Sequence, residues 1–362
     1  MRPRPRLASL LRPAGGRWPL LVALLVVAAL ALLPVLGLVP YALLAPAGHG
    51  DGAQAGLGPG GEAALLHTLG LLALVGLGGT LLGTASGWLT ATCRFPGRRW
   101  LRIAQLLPLA VPPYLLAATL IDSGSRLGVQ LHGDLWAAAV LILGTYSYVF
   151  LLATESFAAG GQRQIEAGRS LGLGPWGCFR RVALPLAAPA IGAGVALTGM
   201  EVVNELGAVE LLGVPTLSGT ILQRWQSDGD PRGAVGLALI TLAIVSLLVA
   251  CERQLRRRSR RWLSGNDSES CSIWQLRGWR AALAQLITLV PPLISLGVPL
   301  IWMVLSRDQL SPGAAADLAG LGLRSFGLAL IAALLTLVAG LSLAMGRRWF
   351  PQGWLEIGRA HV

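Results

Sequence analysis

The stretch "EAGRSLGLGPWGCFRRVALP", Glu166–Pro185, decides how this chain is read, because it is charged and broken by glycine yet lies between two runs apolar enough to cross a membrane. Those runs are Leu135–Leu152 and Ala187–Leu206. A helix needs about twenty apolar residues to cross roughly 30 Å of hydrocarbon, and lipid enforces the helix because it cannot pair a free backbone. Working outward on that criterion, further spans are expected at Trp18–Leu44, Ala64–Thr92, Leu101–Ile121, Ala234–Cys251, Ala281–Val304 and Leu323–Met345, about eight in all. The expected fold is therefore all-α, a polytopic transmembrane helical bundle. Composition agrees, with 54% hydrophobic residues, only 13% charged and a mean hydropathy of +0.64. The first run is too long for the core of a cleaved signal peptide and is expected to anchor the bundle, although Ala45-Pro46-Ala47 is small-residue-like.

Orientation follows from where the arginines fall. A net charge of +12 would suggest nucleic acid in a soluble protein, but here position matters more than the sum, and no nucleic-acid partner is expected. Arg2, Arg4, Arg6, Arg12 and Arg17 precede the first span, whereas the next connection, "APAGHGDGAQAGLGPGGEA", holds acids and no Arg. Arg94, Arg98, Arg99 and Arg102 follow the second span, Arg163, Arg169, Arg180 and Arg181 follow the fourth, and "ERQLRRRSRR" follows the sixth. By the positive-inside rule the amino terminus and every even-numbered exit face the cytoplasm. Glu166–Pro185 is then a cytoplasmic loop.

Every basic side chain of this type is Arg, since the sequence contains no Lys. A phosphate-binding P-loop needs its Lys and a Schiff-base enzyme needs an amine, so neither chemistry is available to this chain. Cys93, Cys178, Cys251 and Cys271 fall near cytoplasmic ends and form no CxxC pair, which reads as unpaired thiols. His49, His67, His132 and His361 are scattered, with no metal or catalytic site indicated and no cofactor expected.

An internal repeat is also legible. Gly79, Gly83 and Gly87 recur every four residues in "GGTLLGTASG" and share one helix face; Thr336, Gly340 and Ala344 do the same in "LTLVAGLSLA". A shift of 257 residues superposes the two sets and also aligns Gly70 with Gly327, Leu71 with Leu328 and Leu77 with Leu334. Small residues at this spacing let helices approach closely in lipid. The chain divides accordingly into a cytoplasmic segment 1–17, a first permeation half 18–255 carrying the loop 155–186, an Arg-rich linker 256–280, and the start of a second half at 281–355. The second half is expected to be incomplete. Residues 356–362 are expected to be artefactual, because Ile357–Val362 translates a common short-read sequencing adapter.

The loop itself reads as a compact knuckle. "RQIEAGRSL" can form a short helix, Gly172 can end it, and Gly174-Pro175 can start another, since Pro suits a first helical turn; Pro185 and Pro189 then set the start of the fifth span. Glu166-Ala167-Gly168, three residues, Gly172, nine residues and Val182-Ala183-Leu184-Pro185 resemble the cytoplasmic Glu-Ala-Ala signature of binding-protein-dependent ABC importer permeases. The departures are Gly168 for the second Ala and Val182 for Ile. "CRFPGRRWLRIAQLLPLAVPPYLLA", Cys93–Ala117, and "GMEVVNELGAVELLGVPTLSGTILQRW", Gly199–Trp225, are similar to the fused two-half permeases of the ferric iron importer group. The resemblance implies the type I permease fold in a bacterial inner membrane, with lipid around it. It further implies ABC ATPase subunits docking at Glu166, Ala167, Gly168, Gly172, Leu184 and Pro185, and a solute-binding protein outside that selects the cargo. Thiamine, polyamine and sulfate permeases share this plan.

Glu201, Asn204 and Glu205 stand apart, because acids in a membrane helix are costly unless they pair, protonate or meet water. Spacing places Glu201 and Glu205 on one face with Asn204 beside them. They either line a translocation path, or serve an interhelical contact, or sit at a helix end already in water. A proton- or sodium-coupled secondary transporter would explain the acids and leave the knuckle unused; a membrane scaffold explains neither.

Overall fold

The computed structural model describes residues 57–58, 60–159, 162–262, 274–306 and 314–349, with short pieces between 22 and 40. Most of the expected first span, all of the segments 1–17 and 263–273, and the tail 356–362 lie outside the described residues. Two units are formed, one by Pro46–Arg307 and one by Met1–Ala45 with Asp308–Val362.

The larger unit is built on three mutually packed helices: α1 (Gly61–Thr92), α4 (Asp134–Ala159) and α7 (Leu184–Asn204). Between α1 and α4 run β1 (Cys93–Arg94), α2 (Arg98–Ala104), a 3-10 turn (Leu107–Ala110) and α3 (Pro113–Arg126). Between α4 and α7 lie α5 (Gln162–Ser170) and α6 (Pro175–Cys178). After α7 come α8 (Gly207–Leu211), α9 (Leu217–Gln226), α10 (Pro231–Trp262), β2 (Trp274–Gln275), α11 (Trp279–Pro292) and α12 (Val298–Leu305). The second unit contributes α13 (Ala314–Trp349), whose apolar side chains, such as Leu323, Leu328 and Leu335, are exposed within that unit.

Six described helices are long and apolar enough to cross a membrane, or seven with one bent pair. This is a multi-pass membrane protein. Large apolar side chains face outward on the spans, Leu66, Leu77 and Leu81 of α1 among them, which suits lipid and not water. The expected third span, Leu101–Ile121, needs correction: Arg98–Ala110 and Pro113–Arg126 meet at 89°. Pro112 and Pro113 explain the break, because each forces the residue before it toward extended backbone, and Val111 and Pro112 have ψ of 116° and 133°. Buried Gln105 fixes the corner, since its side-chain amide donates to the Thr288 carbonyl of α11 and its own carbonyl accepts from Ser147 Oγ of α4 at 2.6 Å.

The fifth span also starts earlier than Ala187. Helix runs from Pro175 to Asn204 through a π turn at Phe179–Ala183. Pro185 cannot donate an N–H and its ring would strike the preceding turn; the wider turn absorbs both, with Leu184 N–H donating to the Phe179 carbonyl. The sixth continues as helix past Cys251 to Trp262, carrying the Glu252–Arg256 pair one turn apart.

Packing of the three central helices depends on missing side chains. A Cβ on Gly83 would lie 2.8 Å from the Phe150 nitrogen and the Tyr146 carbonyl oxygen of α4. Gly87 approaches Thr154 and Ala153 of α4, a built Cβ lying 3.1 Å from Thr154 Oγ1, while Gly79 sits more loosely, 3.9 Å from Tyr146 Cα. On the opposite side, a Cβ on Gly194 of α7 would meet Val149 Cα at 2.7 Å. Helix α4 is thus gripped from two sides by backbone. Among the described residues, a Cβ on the repeat partner Gly340 meets nothing within 4 Å.

Apolar side chains gather at the two ends of this bundle. At the end where α1 and α4 begin, Leu71, Val75, Ala137, Leu141, Leu116, Val202 and Leu212 form one cluster. At the end where they finish, Ala91, Val149, Ala153, Phe157, Ile165, Cys178 and Ala187 form another, which seats the Glu166–Pro185 loop.

Candidate functional site

The loop folds as two short helices closed by hydrogen bonds along the chain. At the end of α5, Leu173 N–H donates to the Gly168 carbonyl at 3.0 Å and Gly172 N–H to the Arg169 carbonyl at 2.9 Å. This is the Schellman arrangement, which needs a left-handed residue past the helix end, and Gly172 supplies it with φ +85°. Gly174 is extended, φ −71° and ψ 174°, and Pro175 opens α6 in its first turn, where a missing N–H costs nothing.

Helix α5 then has two sides. Ile165 and Gly168 are buried, while Glu166, Ala167 and Arg169 are exposed. Ile165 packs with Phe157, Cys178 and Ala183. Leu184 is half-buried and Pro185 exposed, both in the first turn of α7. An aromatic block lies beneath: Trp88 of α1 meets Phe157 edge-on at 5.4 Å, Phe179 at 5.1 Å and Trp274 at 5.5 Å. Trp176, exposed, stacks on Phe179 at 5.3 Å. Large flat side chains with few rotors make a stiff seat.

Trp274 arrives from far along the chain. Within the segment read as linker, β2 pairs in parallel with β1, Cys93 opposite Trp274 and Arg94 opposite Gln275, and Leu276 N–H donates to the Arg94 carbonyl at 2.9 Å. This ladder holds the indole under α5, where the Arg169 guanidinium lies 5.8 Å from the ring centroid. Sequence reasoning missed Trp88, Phe157 and Trp274. The first two had a signal, being aromatic residues at the cytoplasmic ends of adjoining spans, and Trp274 had none.

Cys93, Cys178 and Cys251 are unpaired, and Cys271 lies outside the described residues. Burial pushes the Cys93 thiol up, keeping it protonated and unreactive. Cys178 is fully buried, with its Sγ 3.6 Å from the Leu173 carbonyl oxygen, so it serves as packing.

Gly168 offers a clear test of this geometry. A Cβ there would touch Cys178 Sγ and Leu173 Cδ1 at 3.4 Å and Val182 at 3.5 Å, which is ordinary contact, and the backbone is already helical. Gly168→Ala is expected to stabilise α5 by about 0.5–1 kcal/mol through lower unfolded-chain entropy. Slower protease nicking between 160 and 175 would record it; faster nicking would mean that the loop packs differently.

The acidic group lies at the other end of α7. Glu201 and Asn204 are exposed on its last turn. Glu205 does not share their face, contrary to the spacing argument, because α7 ends at Asn204 and Glu205 is extended with ψ 129°. Its Oε1 accepts the Ala208 N–H at 2.8 Å and so caps α8. Glu205 is half-buried at this cap, and Glu201 with Asn204 forms the exposed polar surface.

Knuckle, bent third span and gripped α4 make up the described arrangement. The sequence pattern of the family described as binding-protein-dependent transport system inner membrane component matches residues 79–261, and the chain belongs to that family. It is 25% identical over 301 residues to the Fe(3+)-transport system permease FbpB 2 of Haemophilus influenzae, covering 81% of this chain and 58% of that protein. It is 28% identical over 218 residues to the molybdenum transport system permease ModB of Escherichia coli, covering 54% of this chain and 94% of ModB. Against the sulfate transport system permease CysT of the same species it is 29% identical over 206 residues, covering 51% and 73%.

Proposed function

We propose that this chain is the membrane-embedded subunit of an ATP-driven importer in the bacterial cytoplasmic membrane, moving solute while separate ATPase subunits supply the energy. The observation that carries this reading is the two-sided α5: Ile165 and Gly168 are locked into the bundle while Glu166, Ala167 and Arg169 face out. A projection anchored in the ends of α1, α4 and α7 can pass a push from a docked partner directly to three spans. A solute-binding protein on the opposite face would deliver the cargo.

For the cargo we favour ferric iron over an oxyanion. Glu201 and Asn204 present carboxylate and amide oxygens at the outer end of α7, a surface that attracts cations and repels molybdate or sulfate. The match to the ferric permease also runs along most of this chain. The test is uptake into proteoliposomes holding the full chain, the ATPase and the binding protein encoded beside it. ATP-dependent accumulation of iron without molybdate is the expected result. Molybdate accumulation would reassign the cargo, and uptake driven by an ion gradient without ATP would overturn the importer reading.

A further inference from the structure

A cleft of about 860 Å3 opens where α1 gives way to α2 and residues 275–277 run alongside. Arg94, Arg98, Arg99, Arg102 and Arg277 line it, and among the described residues no Asp or Glu does. Some of that charge is already used. Arg98 closes the end of α1, its Nε donating to the Thr90 carbonyl at 2.7 Å, and Arg102 meets Glu155 at 3.3 Å. Arg99 of α2 and Arg277, two residues past β2, are both exposed in this lining, Arg277 reaching Gln275 Oε1 at 3.5 Å.

The depth of the cleft narrows its ligand. Helix α1 ends at Thr92 and α11 begins at Trp279, both membrane spans, so the cleft lies at the membrane face. By arginine asymmetry that face is cytoplasmic. Trp100, which lines it, is 78% exposed, and Ile103 further along α2 is exposed as well. Indole rings prefer the headgroup level of a bilayer, with their apolar bodies toward the acyl chains. A soluble anion would satisfy the arginines and leave Trp100 and Ile103 in water. An amphiphile satisfies both.

We propose that this cleft is a binding site for an anionic phospholipid of the cytoplasmic leaflet. The phosphate lies between Arg99 and Arg277, and the acyl chains lie against Trp100 and Ile103. Basic recesses between spans on the cytoplasmic side suit such headgroups, and each cation near an anionic surface is worth about fivefold in binding. Because β2 also carries Trp274 under α5, a lipid joining Arg99 to Arg277 steadies the strand that seats the knuckle. The site depends on the orientation of the chain and not on its energy source.

The experiment is native mass spectrometry of the full chain released from membranes containing phosphatidylglycerol and cardiolipin. Arg99→Gln with Arg277→Gln is expected to lower the retained anionic lipid about 25-fold, two arginines at fivefold each. Arg99→Lys with Arg277→Lys should restore most of it and confirms folding of the series. Arg180→Gln with Arg253→Gln removes the same charge elsewhere on exposed side chains and should leave retention unchanged. Equal retention in all variants, or equal loss in both Gln pairs, overturns the site. Full displacement of the lipid by millimolar inorganic phosphate would also overturn it, making the ligand a soluble anion.

Discussion

Gly83→Leu is expected to remove folded protein from the membrane almost completely. The new Cβ would lie 2.8 Å from the Phe150 nitrogen and the Tyr146 carbonyl oxygen, atoms of the α4 backbone that no rotamer change can move aside. Overpacking against side chains costs about 1–3 kcal/mol; here the helices themselves must separate, and in lipid close packing is the main force that holds them. Gly194 braces α4 from the other side, so the strain cannot pass into a shift of that helix. Gly340→Leu provides the contrast, since among the described residues a Cβ there meets nothing beyond its own helix within 4 Å. Monodisperse recovery after detergent extraction should collapse for Gly83→Leu and hold for Gly340→Leu. Full recovery of Gly83→Leu would mean that α1 and α4 are not in contact at this level.

The second large effect is functional. Glu166→Lys should leave insertion and stability unchanged, because the side chain is exposed on α5, while ATP-dependent uptake falls at least about tenfold from charge reversal at the proposed docking face. Gly172→Val should produce the same phenotype by another route, since a β-branched residue resists φ +85° and would disturb the Schellman closure at Gly168 and Arg169. Uptake and ATPase association would be measured together. Normal values for both variants would remove α5 from any role in coupling.

Spans and loop were legible in sequence because their signals are local. An apolar run of sufficient length has one stable form in lipid, and Gly172 followed by Gly174-Pro175 can do little except end one helix and begin another. Gly83 could be placed on a packing face from its four-residue period with Gly79 and Gly87, although the period could not name α4 as the neighbour. Three features escaped for identifiable reasons. The corner at Val111–Pro113 sits inside an apolar run, and hydropathy does not register direction. Glu205 is four residues past Glu201, but that spacing carries meaning only while the helix continues, and it stops at Asn204. Trp274 reaches α5 through a parallel pairing with Cys93, a contact between segments 181 residues apart that no periodicity encodes.

The most direct test of the account is site-specific photocrosslinking from position 166 in the assembled transporter, in inverted membrane vesicles. The account predicts a covalent product between this chain and an ATP-hydrolysing subunit, lost when Gly172 is replaced by Val. A position 166 that is modified only from the outer face of the membrane, or that crosslinks to no ATPase in a transporter that still hydrolyses ATP, would contradict it.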